Sequence, residues 1–100
     1  MGKDIVIYMN ERDFKHKTSE CGGQYFWSMN RIPKYFTEGN NIWIACKRYV
    51  QGFVPCLEFN PKDKGGETIV WDSDDWTAIP KLIPCKPFRG FRYRWFLKEA

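Results

Sequence analysis

NIWIACKRYVQGFVPCLEF, residues 41–59, carries the clearest β signal in the chain. Ile, Trp, Val and Phe crowd two short runs, and such side chains fit a pleated, half-buried surface better than a helix. Lys47-Arg48 stands between the runs as a tight connection. The stretch therefore predicts two strands, Asn41–Cys46 and Tyr49–Phe59. Gly52 and Pro55 fall inside the second strand, where each marks a bend or a bulge.

Working outward, DIVIYM (residues 4–9) is short and apolar on both faces, as a central strand must be. NERDFKHKTSECGGQ (10–24) is polar and ends on a Gly pair. It predicts a loop that holds at most one helical turn. YFWSMN (25–30) is aromatic again, and RIPKYFTEGN (31–40) reads as a short helix or turn closing at Gly39. NPKDKGGE (60–67) has turn chemistry and TIVW (68–71) is another strand. DSDDWTAIP (72–80) reads as a capped helical turn with acids where the helix dipole favours them. KLIP (81–84) is extended. GFRYRWFL (90–97) alternates strictly, with Phe91, Tyr93, Trp95 and Leu97 on one face and Arg92, Arg94 and Phe96 on the other.

Five or six short strands with two small helical pieces in 100 residues predict one domain, 1–100, mainly β with short helices (α+β). A chain of this length buries roughly two thirds of its unfolded surface and folds without covalent staples. Its 18% aromatic content, eight Phe, five Tyr and five Trp, exceeds what so small a core readily hides. Some of these rings are therefore expected to line a groove or pocket.

The net charge is +4 with a pI near 8.9. Its distribution is more informative than its size. From Lys81 to Lys98 there are six basic residues and no acid, whereas from Glu58 to Asp75 there are six acids and two lysines. Folding either separates these blocks or lays one over the other. Cys21, Cys46, Cys56 and Cys85 include no CxxC pair, and His16 is the one histidine, so no metal and no cofactor is expected. The N-terminal apolar run is too short for a secretory h-region, and no run approaches membrane-spanning length. A cytoplasmic protein with free thiols and no membrane partner is the expectation.

FWSMNRIPKYFTEGNNIWIACKRYVQGFVPCLEF (26–59) adds a second line of reasoning. A Trp and an Arg lead into a short helical step, Gly39-Asn40 opens a strand, and Val50-Gln51-Gly52 begins the next. This order resembles the central part of PUA-like domains, in particular their EVE and ASCH branches, over roughly residues 25–60. Asn40 stands where those domains usually carry Asp. The resemblance implies a small PUA-like pseudo-β-barrel of five to six strands. It also implies binding of RNA or of modified bases in an aromatic pocket, with Trp27, Ser28, Asn30 and Arg31 near that pocket. ASCH-type domains include small amidohydrolases of modified nucleosides, which is the enzymatic alternative.

PCKPFRGFRYRWF (84–96) supplies the chemistry for such a partner. Arg89, Arg92 and Arg94 neutralise phosphates in this reading, while a ring or guanidinium plane stacks on a base, Trp27 or a neighbouring ring being the expected platform and Tyr93 counted among the binding residues. Lys47 and Arg48 extend the rim from the hairpin tip. The bland reading of each is also available: a barrel strand with solvated arginines, a core Trp27, a solubilising hairpin turn. Motifs of nucleophilic, metal-dependent or phosphate-loop enzymes are missing, and no catalytic residue is assigned, although Lys17, Thr18 and Glu20 form a set that an amidohydrolase would use. The sequence thus predicts a nucleic-acid-binding module, favouring RNA or a single-stranded or modified-base element over plain duplex DNA. A protein-interaction module is the remaining alternative, with oligomeric state open.

Overall fold

Ile5, Val6 and Ile7 are fully buried, which follows from where β1 (Ile5–Tyr8) lies. In the computed structural model, which describes residues 2–20, 23–29, 33–59 and 67–96, β1 is an inner strand of a five-stranded sheet. Its partners are β3 (Asn41–Cys46), β4 (Tyr49–Pro55), β7 (Thr77–Pro84) and β8 (Phe91–Tyr93), in the order β7-β4-β3-β1-β8. β1 runs parallel to β3 and antiparallel to β8. The remaining strands, β2 (Gln24–Met29), β5 (Glu58–Phe59) and β6 (Glu67–Asp72), form a second sheet in the order β2-β6-β5.

The protein is mainly β, with short helical pieces. The described strands make two sheets and do not close into one barrel. Alternation along the strands sorts their side chains onto the two faces of the larger sheet. Ile5, Ile7, Ile42, Ile44, Val54 and Phe91 face the smaller sheet and pack with its Met29, Ile69 and Trp71. Val6, Trp43, Ala45 and Val50 face the other way, where Ile79, Cys85, Phe88 and Phe96 cover them. A strand with apolar side chains toward both faces is thus explained by two cores, one on each side.

The hairpin at Lys47-Arg48 is as tight as expected. Both residues take positive φ, 54° and 69°, which is the backbone of a primed two-residue turn. Register slips beside Gln51, against both β3 and β7, so the expected bulge is present. The second run does not continue to Phe59 in one strand. It leaves the large sheet after Pro55, where the Cys56 N–H donates to the Asn40 carbonyl at 2.9 Å, and rejoins the small sheet as β5. Pro55 lacks the N–H needed to extend a ladder, which favours such an exit.

The polar 10–24 segment holds more helix than its pattern predicts. Asn10 caps α1 (Glu11–Lys15) by accepting from the Asp13 N–H at 2.8 Å, and the chain continues as a wider π-type turn from His16 to Glu20. Residues 33–40 form turns without a helix. The capped turn at 72–75 is as read: the Asp72 carboxylate accepts from the Asp74 N–H at 2.9 Å ahead of a 3₁₀ turn. KLIP belongs to the longer strand β7. The strand ends at Tyr93, yet Arg92, Arg94 and Phe96 share one side as the alternation of 90–97 predicts; that side is a second core, and Trp95, expected inside, is 46% exposed. The 60–66 part of the expected loop, and Leu97, lie outside the described residues.

Candidate nucleic-acid interface

Arg92 is the outward member of β8. It stands opposite Val6 in register, so it leaves the sheet on the second-core face. Segment 85–90 crosses that same face. Its Phe88 meets Tyr8 edge to ring at 5.9 Å, and the Arg92 guanidinium carbon lies 5.1 Å from the Phe88 ring centroid. A cation over a ring in this range is held by the quadrupole of the aromatic face. The Tyr8 hydroxyl accepts from the Arg48 backbone N–H at 2.7 Å, and the Arg48 carbonyl accepts from Cys85 N–H at 2.9 Å. These bonds bring the hairpin tip and the 85–90 segment together. Arg48, Arg89 and Arg92 are all exposed. Gly90, at φ 75°, turns the chain from Arg89 into β8 in a conformation that L side chains rarely adopt.

The ten residues singled out from the sequence divide among several places. Arg48, Arg89 and Arg92 belong to the basic face just described. Lys47, next to Arg48, diverges and pairs with Glu11 at 2.7 Å. That hydrogen bond draws the Glu11 carboxyl below its ordinary range and raises the Lys47 ammonium. Beneath this pair a small cleft of about 110 Å³ is lined by Phe14, Cys46 and Gln51 among others. Tyr93 points to the first core, opposite to Arg92. Asn30 and Arg31 lie outside the described residues.

Arg94 turns inward. Its Nη1 lies 3.5 Å from the Asp4 carboxylate, and its guanidinium carbon lies 4.7 Å from the Trp43 ring and 4.9 Å from the Phe96 ring. Its side chain is 21% exposed. This placement makes it a tie between strands, and the outward charges of the segment are Arg89 and Arg92.

Trp27 and Ser28 are adjacent on β2 and therefore face opposite ways. Trp27 packs half-buried on the first core, and Ser28 is exposed. Lys17 approaches Trp27 to 5.2 Å and Phe26 to 5.6 Å while donating to the Phe26 carbonyl at 2.9 Å. Burial pushes the Lys17 ammonium below the ordinary lysine value, partly offset by the Asp13 carboxylate. Thr18, its neighbour, donates its hydroxyl to the Phe14 carbonyl within the helical segment. β2 and the basic face lie on opposite sides of the large sheet, so Trp27 and Arg92 do not share a surface.

The acidic block does not lie across the basic face where it is described. β5 and β6 pair in the small sheet, and the 73–75 turn leads into Trp76, which packs on the first core. Tyr8 was legible only as a strand residue. Its role beside Phe88 needs the β1–β8 pairing, which brings segments far apart in sequence together.

Among the described residues no cluster of three His, Cys, Asp or Glu side chains is placed to hold a metal ion, and no helix is long and apolar enough to cross a membrane. No protein family, curated protein or solved structure matches the chain.

Proposed function

We propose that this protein is a nucleic-acid-binding module that takes single-stranded RNA on the face formed by Arg48, Phe88, Arg89 and Arg92. The observation that carries the reading is the exposed Arg92 guanidinium at 5.1 Å over Phe88, on a Tyr8–Phe88 floor to which the Arg48 backbone is hydrogen-bonded. Arginines neutralise successive phosphates, and guanidinium planes and rings stack on unpaired bases whatever their identity. The Arg92–Phe88 pair offers a stacking plane rather than a set of base-edge donors, which favours a single strand over plain duplex DNA. The PUA-like resemblance of residues 25–60 belongs to this proposal and rests on the sequence alone.

The test is a fluorescence-anisotropy titration with single-stranded RNA, single-stranded DNA and duplex DNA over a range of salt. Three phosphate contacts give a log–log salt slope of about −2 for a single strand. Arg92→Ala should weaken binding and flatten the slope by about 0.7, because one fewer counterion is released. Absence of binding at low salt, or binding indifferent to salt, overturns the proposal. Tight binding of a free nucleoside without polymer binding would support the hydrolase reading instead.

A further inference from the structure

Tyr35 is 59% exposed, yet its backbone is held on both sides. Its N–H donates to the Tyr93 hydroxyl at 3.1 Å, and its carbonyl accepts from the Lys3 N–H. The two tyrosine rings lie 5.8 Å apart, tilted by 50°, and the Lys3 ammonium lies 5.4 Å from the Tyr35 ring and 5.9 Å from the Tyr93 ring. Lys34, next in sequence, is exposed. An exposed ring on a surface is ordinary. This one is held by its neighbours, bare on much of its surface, with the Lys3 ammonium against the ring and Lys34 beside it in the chain. A ring so held loses little freedom when a flat ligand covers it, which is the condition for effective stacking.

Its position relates it to the basic face. β8 is the last strand of the large sheet, and consecutive residues on it point to opposite sides. Arg92 marks one side of this edge and Tyr93, with Tyr35 and Lys3, the other. We propose that Tyr35 is a base-stacking platform for an unpaired nucleobase of the same single strand. The strand passes over the β8 edge from the arginine face and places a phosphate by Lys3 or Lys34. This rests on the reading of the chain as a nucleic-acid binder and adds a second subsite, of aromatic rather than ionic character.

The experiment uses the full chain and a single-stranded RNA of about 12 nucleotides, intact and with single abasic positions along it. Wild type, Tyr35→Ala, Tyr35→Trp and Arg92→Ala are titrated at several salt concentrations. Tyr35→Ala should weaken binding roughly 5- to 100-fold, the range for losing one stacked base, with an unchanged salt slope. Tyr35→Trp should restore affinity. One abasic position should weaken wild type comparably and leave Tyr35→Ala unaffected. If Tyr35→Ala binds like wild type while Arg92→Ala is weakened, the platform is refuted and the nucleic-acid reading survives. A changed salt slope in Tyr35→Ala also refutes it, since it makes the site electrostatic. If wild type binds none of the RNAs, both readings fall.

Discussion

Asp4 and Arg94 tie β1 to the end of β8 twice over: the Arg94 N–H donates to the Asp4 carbonyl at 3.0 Å, and Nη1 stands 3.5 Å from the Asp4 carboxylate. The same carboxylate accepts from the Asn41 N–H at 2.9 Å and from the Trp43 indole N–H at 3.1 Å. Asp4 is the acceptor for all of these groups, so Asp4→Ala leaves several part-buried donors without a partner, whereas Arg94→Ala leaves the carboxylate its Asn41 and Trp43 donors. Asp4→Ala is expected to destabilise the fold by about 2–3 kcal/mol and Arg94→Ala by about 1–3 kcal/mol. Arg92→Ala, at an exposed side chain, should stay within about 0.5 kcal/mol. Urea unfolding of the three variants checks this. Equal effects at positions 92 and 94 would mean that Arg94 is not the internal tie.

Gly52 of β4 pairs with Ala78 of β7. A β-carbon there would run into the Thr77 carbonyl oxygen and stand 2.8 Å from the Trp76 ring and 2.9 Å from the Ala78 Cα. Two of these neighbours are backbone, which cannot rotate away. Gly52→Ala is expected to cost about 1–3 kcal/mol through overpacking. Gly23→Ala is the comparison, since the space around that residue is open and only its φ of 113° is unfavourable. Thermal melts of both variants separate a packing cost from a backbone cost.

Local chemistry was readable wherever a few neighbouring residues determine the outcome. The apolar run Ile5-Val6-Ile7 implies a strand covered on both faces, Lys47-Arg48 implies a tight hairpin, and DSDD implies a turn capped by Asp or Ser, which is Asp72. What stayed hidden depends on distant partners. The helix at Glu11–Lys15 presents one large apolar residue, Phe14, to the core, so its pattern showed no periodic stripe. Arg94 takes the side that alternation gives it, beside Phe96, but nothing local announces that this side is a second core where Asp4 and Trp43 meet it. Of the site, the arginine-rich segment was visible. Arg48 stands beside it as the hairpin tip implies, whereas the place of Tyr8 under it and of Trp27 away from it follow from the strand pairing and the two faces of the sheet.

Cys46, Cys56 and Cys85 are free and buried. Burial raises all three thiols above their ordinary value, with Cys56 pushed up to about 12, while Arg92 pulls Cys85 partly back. The thiolate is the nucleophile, and at pH 9 a thiol with a pKa near 12 is ionised only to about 0.1%. The native protein should therefore resist iodoacetamide at all three positions from pH 7 to 9, and unfolding in urea should expose them together. Peptide mass spectrometry reads each site separately. Rapid labelling of Cys56 in the native state at pH 8 would contradict its burial.

Lys17 provides a pH signature opposite in sign to that of most paired lysines. Its ammonium is partly desolvated against Trp27 and Phe26, and its affinity for the proton is lowered in the folded state, with Asp13 opposing the effect. Between the folded value and the ordinary lysine value near 10.4, the unfolded chain holds a proton that the folded chain has released. Stability rises with pH wherever the unfolded state binds more protons. The lysine's contribution should therefore become more favourable as pH climbs from 8 toward about 10. Lys17→Met keeps the aliphatic stem and removes the titration, so the difference between wild-type and variant melting temperatures should grow in the wild type's favour across that window. Parallel curves would show that Lys17 titrates as a solvated lysine and that its place between the two rings carries no desolvation. A difference running the other way would mean that the charged form is the one the fold stabilises, through the Phe26 carbonyl at 2.9 Å and the faces of the rings.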